Sequence, residues 1–159
     1  MWFTRNLIID RAGYCFGSAL GRAVFDNSDC TGRNLILPPD VLALVEAILD
    51  REGNCMVDTT ATTLDMRDVE WRKRMIDLPM PVGEESTCIG WLKDPFPLRR
   101  ARSEDAPKSV MVQPGDTLLF QFEDVDAWSF VELSRDGAEV GVGWAVLPDL
   151  GEDCEMIAG

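Results

Sequence analysis

The final third of the chain constrains its fold more than any other stretch. After residue 109, VMVQ, TLLFQFE, WSFVELS and EVGVGWAVL follow one another with almost nothing between them but Pro114-Gly115-Asp116, Glu123-Asp124-Val125-Asp126 and Arg135-Asp136-Gly137. Apolar alternation broken by turn residues predicts strands, and Asp-Gly between two such runs is the strongest short hairpin signal. A sequential meander of this length is too small to stand alone, so it must curl on itself or pack against a helix. Gly141 and Gly143 lie on one side of the last strand, which predicts strong coiling or a neighbour passing close. On this reading Leu118, Phe120 and Phe122 point inward.

The N-terminal part reads differently. WFTRNLII at 2–9 is compatible with a strand, and Gly17-Ser18-Ala19-Leu20-Gly21 with a closely packed helix or strand. Asp26-Asn27-Ser28-Asp29 reads as a turn, because a calcium loop would need a glycine and a glutamate that are missing. PPDVLALVEAILDREG, 38–53, is the clearest helix. Proline opens it, glycine closes it, and Val41, Leu44, Val45, Ile48 and Leu49 form one apolar face directed at a core. LDMRDVEWRKRMIDL, 64–78, reads equally as a helix with Asp68–Arg72 and Glu70–Arg74 pairs or as a strand with a slip. Arg99, Arg100, Arg102 and Lys108 read as an exposed basic loop.

Trp71, Gly90-Trp91-Leu92-Lys93-Asp94-Pro95, Gly115-Asp116-Thr117-Leu118-Leu119-Phe120, Trp128-Ser129-Phe130 and Asp136-Gly137 before Gly141 stand in an order that resembles the uncharacterised YegJ-type domain of bacteria. The resemblance covers roughly 65–147. The sequence departs from that pattern at Asp94, Ala127 and Phe130. It implies that 68–78 is a strand, and it transfers no catalytic residue. The expected fold class is therefore α+β. A compact, strongly curved antiparallel sheet or small SH3-like barrel fills the C-terminal half, with an N-terminal strand and the helix at 38–53 before it. The expected organisation is one domain, with an α/β portion at 1–63, a β-rich portion at 64–148 and an acidic tail at 149–159.

Several chemistries are excluded by what the chain lacks. It contains no histidine, so Ser-His, Cys-His and His-metal sites are out of reach. No phosphate-loop pattern is present. Five scattered cysteines without a Cys-x-x-Cys read as small buried hydrophobes of a reducing compartment. No secretory signal or membrane span is legible, and a cytoplasmic setting, in a bacterial host or phage-infected cell, is expected. Neither a cofactor nor a metal is expected.

Charge supplies the functional expectation. Of the formal net charge of −13, residues 109–159 carry −10, with eleven acidic side chains against the lone Arg135. Such a field repels nucleic acid and attracts basic surfaces. The expected function is a non-catalytic acidic protein that neutralises or docks a basic macromolecular partner, as an immunity protein or phage anti-defence inhibitor does. Its expected contacts are Glu123, Asp124, Asp126, Asp136 and Glu139, with Trp128 or Trp144 as aromatic anchor. A structural adaptor of a phage virion is the alternative. A carboxylate-metal enzyme built on Asp124 and Asp126 is the least favoured. The oligomeric state is not legible.

Overall fold

The computed structural model of the chain describes residues 1–53, 56–147 and 150–159, side chains at 83, 84 and 151 excepted. They form two compact units, Met1–Met66 and Arg67–Gly159.

The first unit is helical. α1 (Trp2–Arg11), α2 (Ala19–Val24) and α3 (Pro39–Glu52) surround Phe3, Leu7, Phe16, Leu20, Phe25 and Ile48, all buried. The expected strand at 2–9 is instead α1. Phe3 and Leu7, four apart, reach the core from one helical face, a spacing that a strand would place on one side only with the intervening Arg5. Phe25 stacks on Phe3 at 5.7 Å and on Phe16 at 4.7 Å between ring centroids. The 26–29 segment is a turn, as expected: Asp26 accepts hydrogen bonds from the Ser28 N–H and Oγ. Asn27 uses both ends of its amide on the Phe16 backbone. α3 keeps the expected bounds within a residue, but its apolar face is only partly used. Val45 and Ile48 are buried, whereas Leu44 and Leu49 remain 40% and 47% exposed. α3 packs against α1, and one neighbouring helix covers a narrower stripe than a sheet would. Arg5 clasps both oxygens of Glu52 across this contact.

The second unit is an open antiparallel sheet of seven strands. β1 (Pro81–Trp91), β2 (Phe96–Arg99), β3 (Lys108–Val112), β4 (Thr117–Phe122), β5 (Trp128–Arg135), β6 (Ala138–Val146) and β7 (Cys154–Ala158) lie in the order β3-β2-β6-β5-β4-β1-β7. With β3 and β7 as free edges, the sheet does not close into the barrel that was the second form of the expectation. The fold class is α+β, as expected.

Its turns obey local chemistry. Asp136 and Gly137 have φ of 52° and 77°, the left-handed pair of a two-residue hairpin whose twist matches the strands. Gly143 answers to close approach. A Cβ there would stand 2.8 Å from the Arg99 carbonyl oxygen, so β2 is the neighbour the glycine pair predicted.

The buried apolar side chains form two clusters, and alternation on β5 divides Phe130 from Val131 and Leu133 between them. Val131 and Leu133 pack with Leu118, Leu98, Cys88, Trp91 and Cys154. Phe130, Val142 and Trp144 pack with Phe122 and Met75. Trp144 is fully buried and donates its indole N–H to the Asp77 carbonyl at 3.0 Å, which satisfies the one polar atom it brings into the core.

Three further expectations are overturned. Segment 68–78, a strand by resemblance, contains instead the single helical turn α4 (Val69–Arg72). The helix reading's Asp68–Arg72 pair is present at 3.3 Å, and Glu70 meets Lys73 in place of Arg74. Residues 154–158, assigned to an acidic tail, form β7, where pairing to β1 satisfies the backbone whatever charge Glu155 carries. Finally, four of the five cysteines are not buried thiols. Cys15 bonds to Cys30 in the first unit, and Cys88 to Cys154 between β1 and β7 in the second. The fifth, Cys55, lies outside the described residues.

Candidate functional site

The six candidate partner-binding residues do not form one surface. The β4–β5 and β5–β6 turns sit at opposite ends of the eight-residue β5, which places them roughly 27 Å apart at strand rise. Glu123, Asp124, Asp126 and Trp128 belong to the first end, Asp136 and Glu139 to the second.

At the first end, Val125 and Trp128 exchange backbone hydrogen bonds of 2.9 and 3.0 Å, closing a turn over Asp126 and Ala127. Asp126 takes φ of 56°, a conformation that Asn and Asp tolerate better than most residues. The Glu123 N–H donates to the Met80 carbonyl and ties the turn to the start of β1. Trp128 is half-buried against the Phe130–Trp144 layer, so it serves the core first.

The turn divides two concavities. Asp126 and Trp128 line a shallow one of about 380 Å³ with Asp77 and Arg102, and Arg102 already pairs with Asp77 at 3.3 Å. Asp124 lines the larger cleft, about 880 Å³, within the size range of ligand sites. Its apolar lining is Val82, Phe120, Phe122, Leu147 and Leu150; its polar lining is Glu85, Ser86, Asp124 and Ser129. No lysine or arginine is among these residues. β1 creates the far wall. Between its partners Phe122 and Phe120 it spends four residues, 82–85, where β4 spends one, and this bulge leaves Val82, Glu85 and Ser86 exposed. Glu85 and Ser86 escape sequence reading because only the β1 bulge carries them to Asp124, and Ser129 because it reaches the cleft from the start of β5.

Asp136 and Glu139, at the other end, adjoin a structural clamp. Arg135 donates to both oxygens of Asp116 at 2.7 and 2.8 Å, and the Gln113 N–H adds a third bond. Burial pushes the Asp116 carboxyl up, but these bonds outweigh it and hold the group below the usual carboxylate range. The lone cation of the acidic third is thus already paired with a buried carboxylate, although its own side chain stays 40% exposed.

A second ionisable cluster adds Glu132 to the Asp68–Arg72 pair that the helical reading of 64–78 contains. Glu132, on β5, meets Asp68 and Arg72 of the α4 turn and Gln121 of β4. Burial, followed by the nearby Asp68, pushes the Glu132 carboxyl up to about 7. Arg72 is buried, and its guanidinium stands 4.9 Å over the Phe122 ring. The available signal was a glutamate placed two residues after Phe130 on the face that Trp144 fills. Among the described residues, no three His, Cys, Asp or Glu side chains gather as metal ligands. Asp124 and Asp126, the pair considered for a metal, line different concavities.

A family model described as a domain of unknown function, DUF4453, matches residues 54–159, and the model of the YARHG domain matches residues 1–52. The two matches meet at residues 52–54, whereas the compact units divide later, between Met66 and Arg67. No curated protein and no solved structure matches the chain.

Proposed function

The chain belongs to the DUF4453 family, and on that premise we propose that it is a non-catalytic binding protein that docks a basic partner in the cleft beside the β4–β5 turn. The observation that carries this reading is the cleft's composition: an apolar floor of aromatic and aliphatic side chains under a rim whose charged members, Glu85 and Asp124, are both acidic. Lysine and arginine side chains suit such a place, since their stems cover apolar surface while their heads reach carboxylates. The acidic field of residues 109–159 steers a basic partner towards it. The wider six-residue patch contracts to Asp124, joined by Glu85, Ser86 and Ser129.

We further propose that the protein works in an oxidising compartment rather than the cytoplasm. Two disulfides within a 159-residue chain support this, because such bonds persist where thiols are not kept reduced. The match of residues 1–52 to YARHG, a peptidoglycan-associated domain, supports an envelope setting.

The test uses a fluorescent peptide of alternating lysine and leucine as probe, titrated at several salt concentrations. Reversing the cleft pair, Glu85→Lys with Asp124→Lys, is expected to weaken binding about tenfold and flatten its salt dependence. Reversing the distant pair, Asp136→Lys with Glu139→Lys, keeps the net charge of the first variant and is expected to leave most of the affinity. Equal losses in the two variants would show a general charge effect and overturn the cleft assignment.

A further inference from the structure

The open sheet has two edge strands, and they are not alike. β3 is blunted: it begins with Lys108, and its Met111 carbonyl accepts a hydrogen bond from Arg135 Nη2 at 3.1 Å. A charge on the strand and an occupied carbonyl both discourage a further strand from pairing there. β7 has no such guard. Glu155, Met156, Ile157 and Ala158 include no lysine and no proline, their ladder to β1 has no bulge, and all four are exposed. Met156 and Ile157 keep 55% and 48% of their surface, one on each side of the strand.

The register fixes which backbone groups of β7 are open. Ala158, Ile157, Met156 and Cys154 stand opposite Thr87, Cys88, Ile89 and Trp91 in one unshifted antiparallel ladder. One step further, the Leu92 N–H donates to the Asp153 carbonyl at 2.9 Å, which turns Asp153 towards β1. Bonded and non-bonded pairs alternate along such a ladder. Glu155 and Ile157 therefore also bond β1, while Met156 and Ala158 turn their N–H and C=O groups outward. Among the described residues, no strand lies on that side.

Charge separates the possible occupants. A second copy of this chain would set one formal net charge of −13 against another, and the strand itself carries Glu155. A basic segment meets attraction along the whole edge. Glu152 precedes β7, Glu155 lies on it, and Gly159, which follows it, lines the cleft together with Glu85 and Asp124. Lys93, in the loop after β1, is already paired with Asp153 at 3.1 Å.

We propose that the basic partner is held as an extended segment, which adds an eighth strand along β7 and runs on past Gly159 into the cleft. The proposal rests on the reading of the cleft as a site for a basic partner and adds the conformation that the site selects. The segment's backbone exchanges hydrogen bonds with the outward groups of Met156 and Ala158. Its apolar side chains, at alternate positions, cover Met156 on one side of the sheet or Ile157 on the other. Lysine or arginine side chains beyond the paired stretch reach Glu85 and Asp124. Strand addition is indifferent to sequence, so the acidic cleft supplies the selection for basic residues.

The test uses the peptide of alternating lysine and leucine with the full chain, and follows amide hydrogen exchange by NMR. At saturating peptide, exchange at Met156 and Ala158 is expected to slow about tenfold or more, whereas Glu155 and Ile157, already bonded to β1, change less. Met156→Pro removes one outward donor and leaves the ladder to β1 intact, so it is expected to weaken binding about tenfold. Should that variant disturb β7, exchange in the unaltered chain decides. A peptide that binds and loses affinity on Glu85→Lys with Asp124→Lys, yet leaves Met156 and Ala158 unprotected, would overturn strand addition while the cleft reading stands. A peptide that does not bind at all overturns both. Protection of Met156 and Ala158 in the peptide-free protein, at the mass of a dimer, would show a second copy on the edge and also overturn the proposal.

Discussion

Replacing Cys88 and Cys154 together by alanine should cost this protein more than replacing Cys15 and Cys30. The two sulfurs of the first pair close a loop of 66 residues, those of the second a loop of 15. Loop-closure entropy assigns about 4 kcal/mol to the longer and about 3 kcal/mol to the shorter at 25 °C. Against the roughly 5–15 kcal/mol that holds a typical domain together, the larger figure is a substantial share. Structure adds a second reason for the ranking. β7 pairs only with β1, and its residues 155–158 are exposed, so the bridge at Cys154 anchors a strand with little apolar burial of its own. The assay is urea unfolding followed by far-UV circular dichroism and tryptophan fluorescence, with each double variant compared to the oxidised parent. For a slope of about 1.5 kcal/mol/M, the midpoint of the second unit should fall by roughly 2–3 M when Cys88 and Cys154 are removed. Thiol titration of the denatured, unreduced protein should leave at least four of the five cysteines unreactive. Five reactive thiols would refute the bridges themselves. A Cys88/Cys154 variant that unfolds within 1 kcal/mol of its parent, or loses less than the Cys15/Cys30 variant, would refute the loop-entropy reasoning.

Two further outcomes follow from the sheet. Gly143→Ala places a methyl 2.8 Å from the Arg99 carbonyl oxygen, a backbone atom that cannot turn aside, and should destabilise the second unit by about 1–3 kcal/mol in the same urea assay. A loss below 0.5 kcal/mol would mean that β2 moves away freely. Asp116, whose folded carboxyl is held below the usual range, contributes stability that is present above the ordinary aspartate range and is lost as pH falls through the folded value. Asp116→Asn should therefore lower the melting temperature at pH 7 and flatten its decline in acid; parallel melting curves for the two proteins between pH 2 and 5 would show that the clamp with Arg135 contributes nothing.

Much of the β half was legible because its signals are local. Asp136-Gly137 demands a left-handed turn, alternation on β5 divides Phe130 from Val131, and Gly143 needs space, each regardless of what lies far away in the chain. The α3 helix was legible for the same reason, with Pro39 at its start and Gly53 at its end. The short elements were not. WFTRNLII carries a weak pattern in either period, and only a core that accepts Phe3 and Leu7 from one side makes it α1. The single turn of α4 gains its place from Arg72 lying over Phe122 and against Asp68, contacts in which the sheet supplies half.

The candidate site divides along the same line. That residues 109–159 are acidic, and that Glu123-Asp124-Val125-Asp126 forms a strand connection, is determined by the sequence itself, since charge and turn preference belong to the residues. Tertiary structure alone decided that Asp124 and Asp126 face different concavities, that Asp136 lies at the far end of β5, and that Glu85 comes round to the cleft through a bulge. It also decided that Cys88 meets Cys154 and that Glu132 meets Asp68, pairs separated by 66 and 64 residues. Charge and cysteine count are sums over residues, whereas proximity is a property of strand order and register. Chemistry that needs two side chains at one place exists only once the sheet has set which distant segments are neighbours.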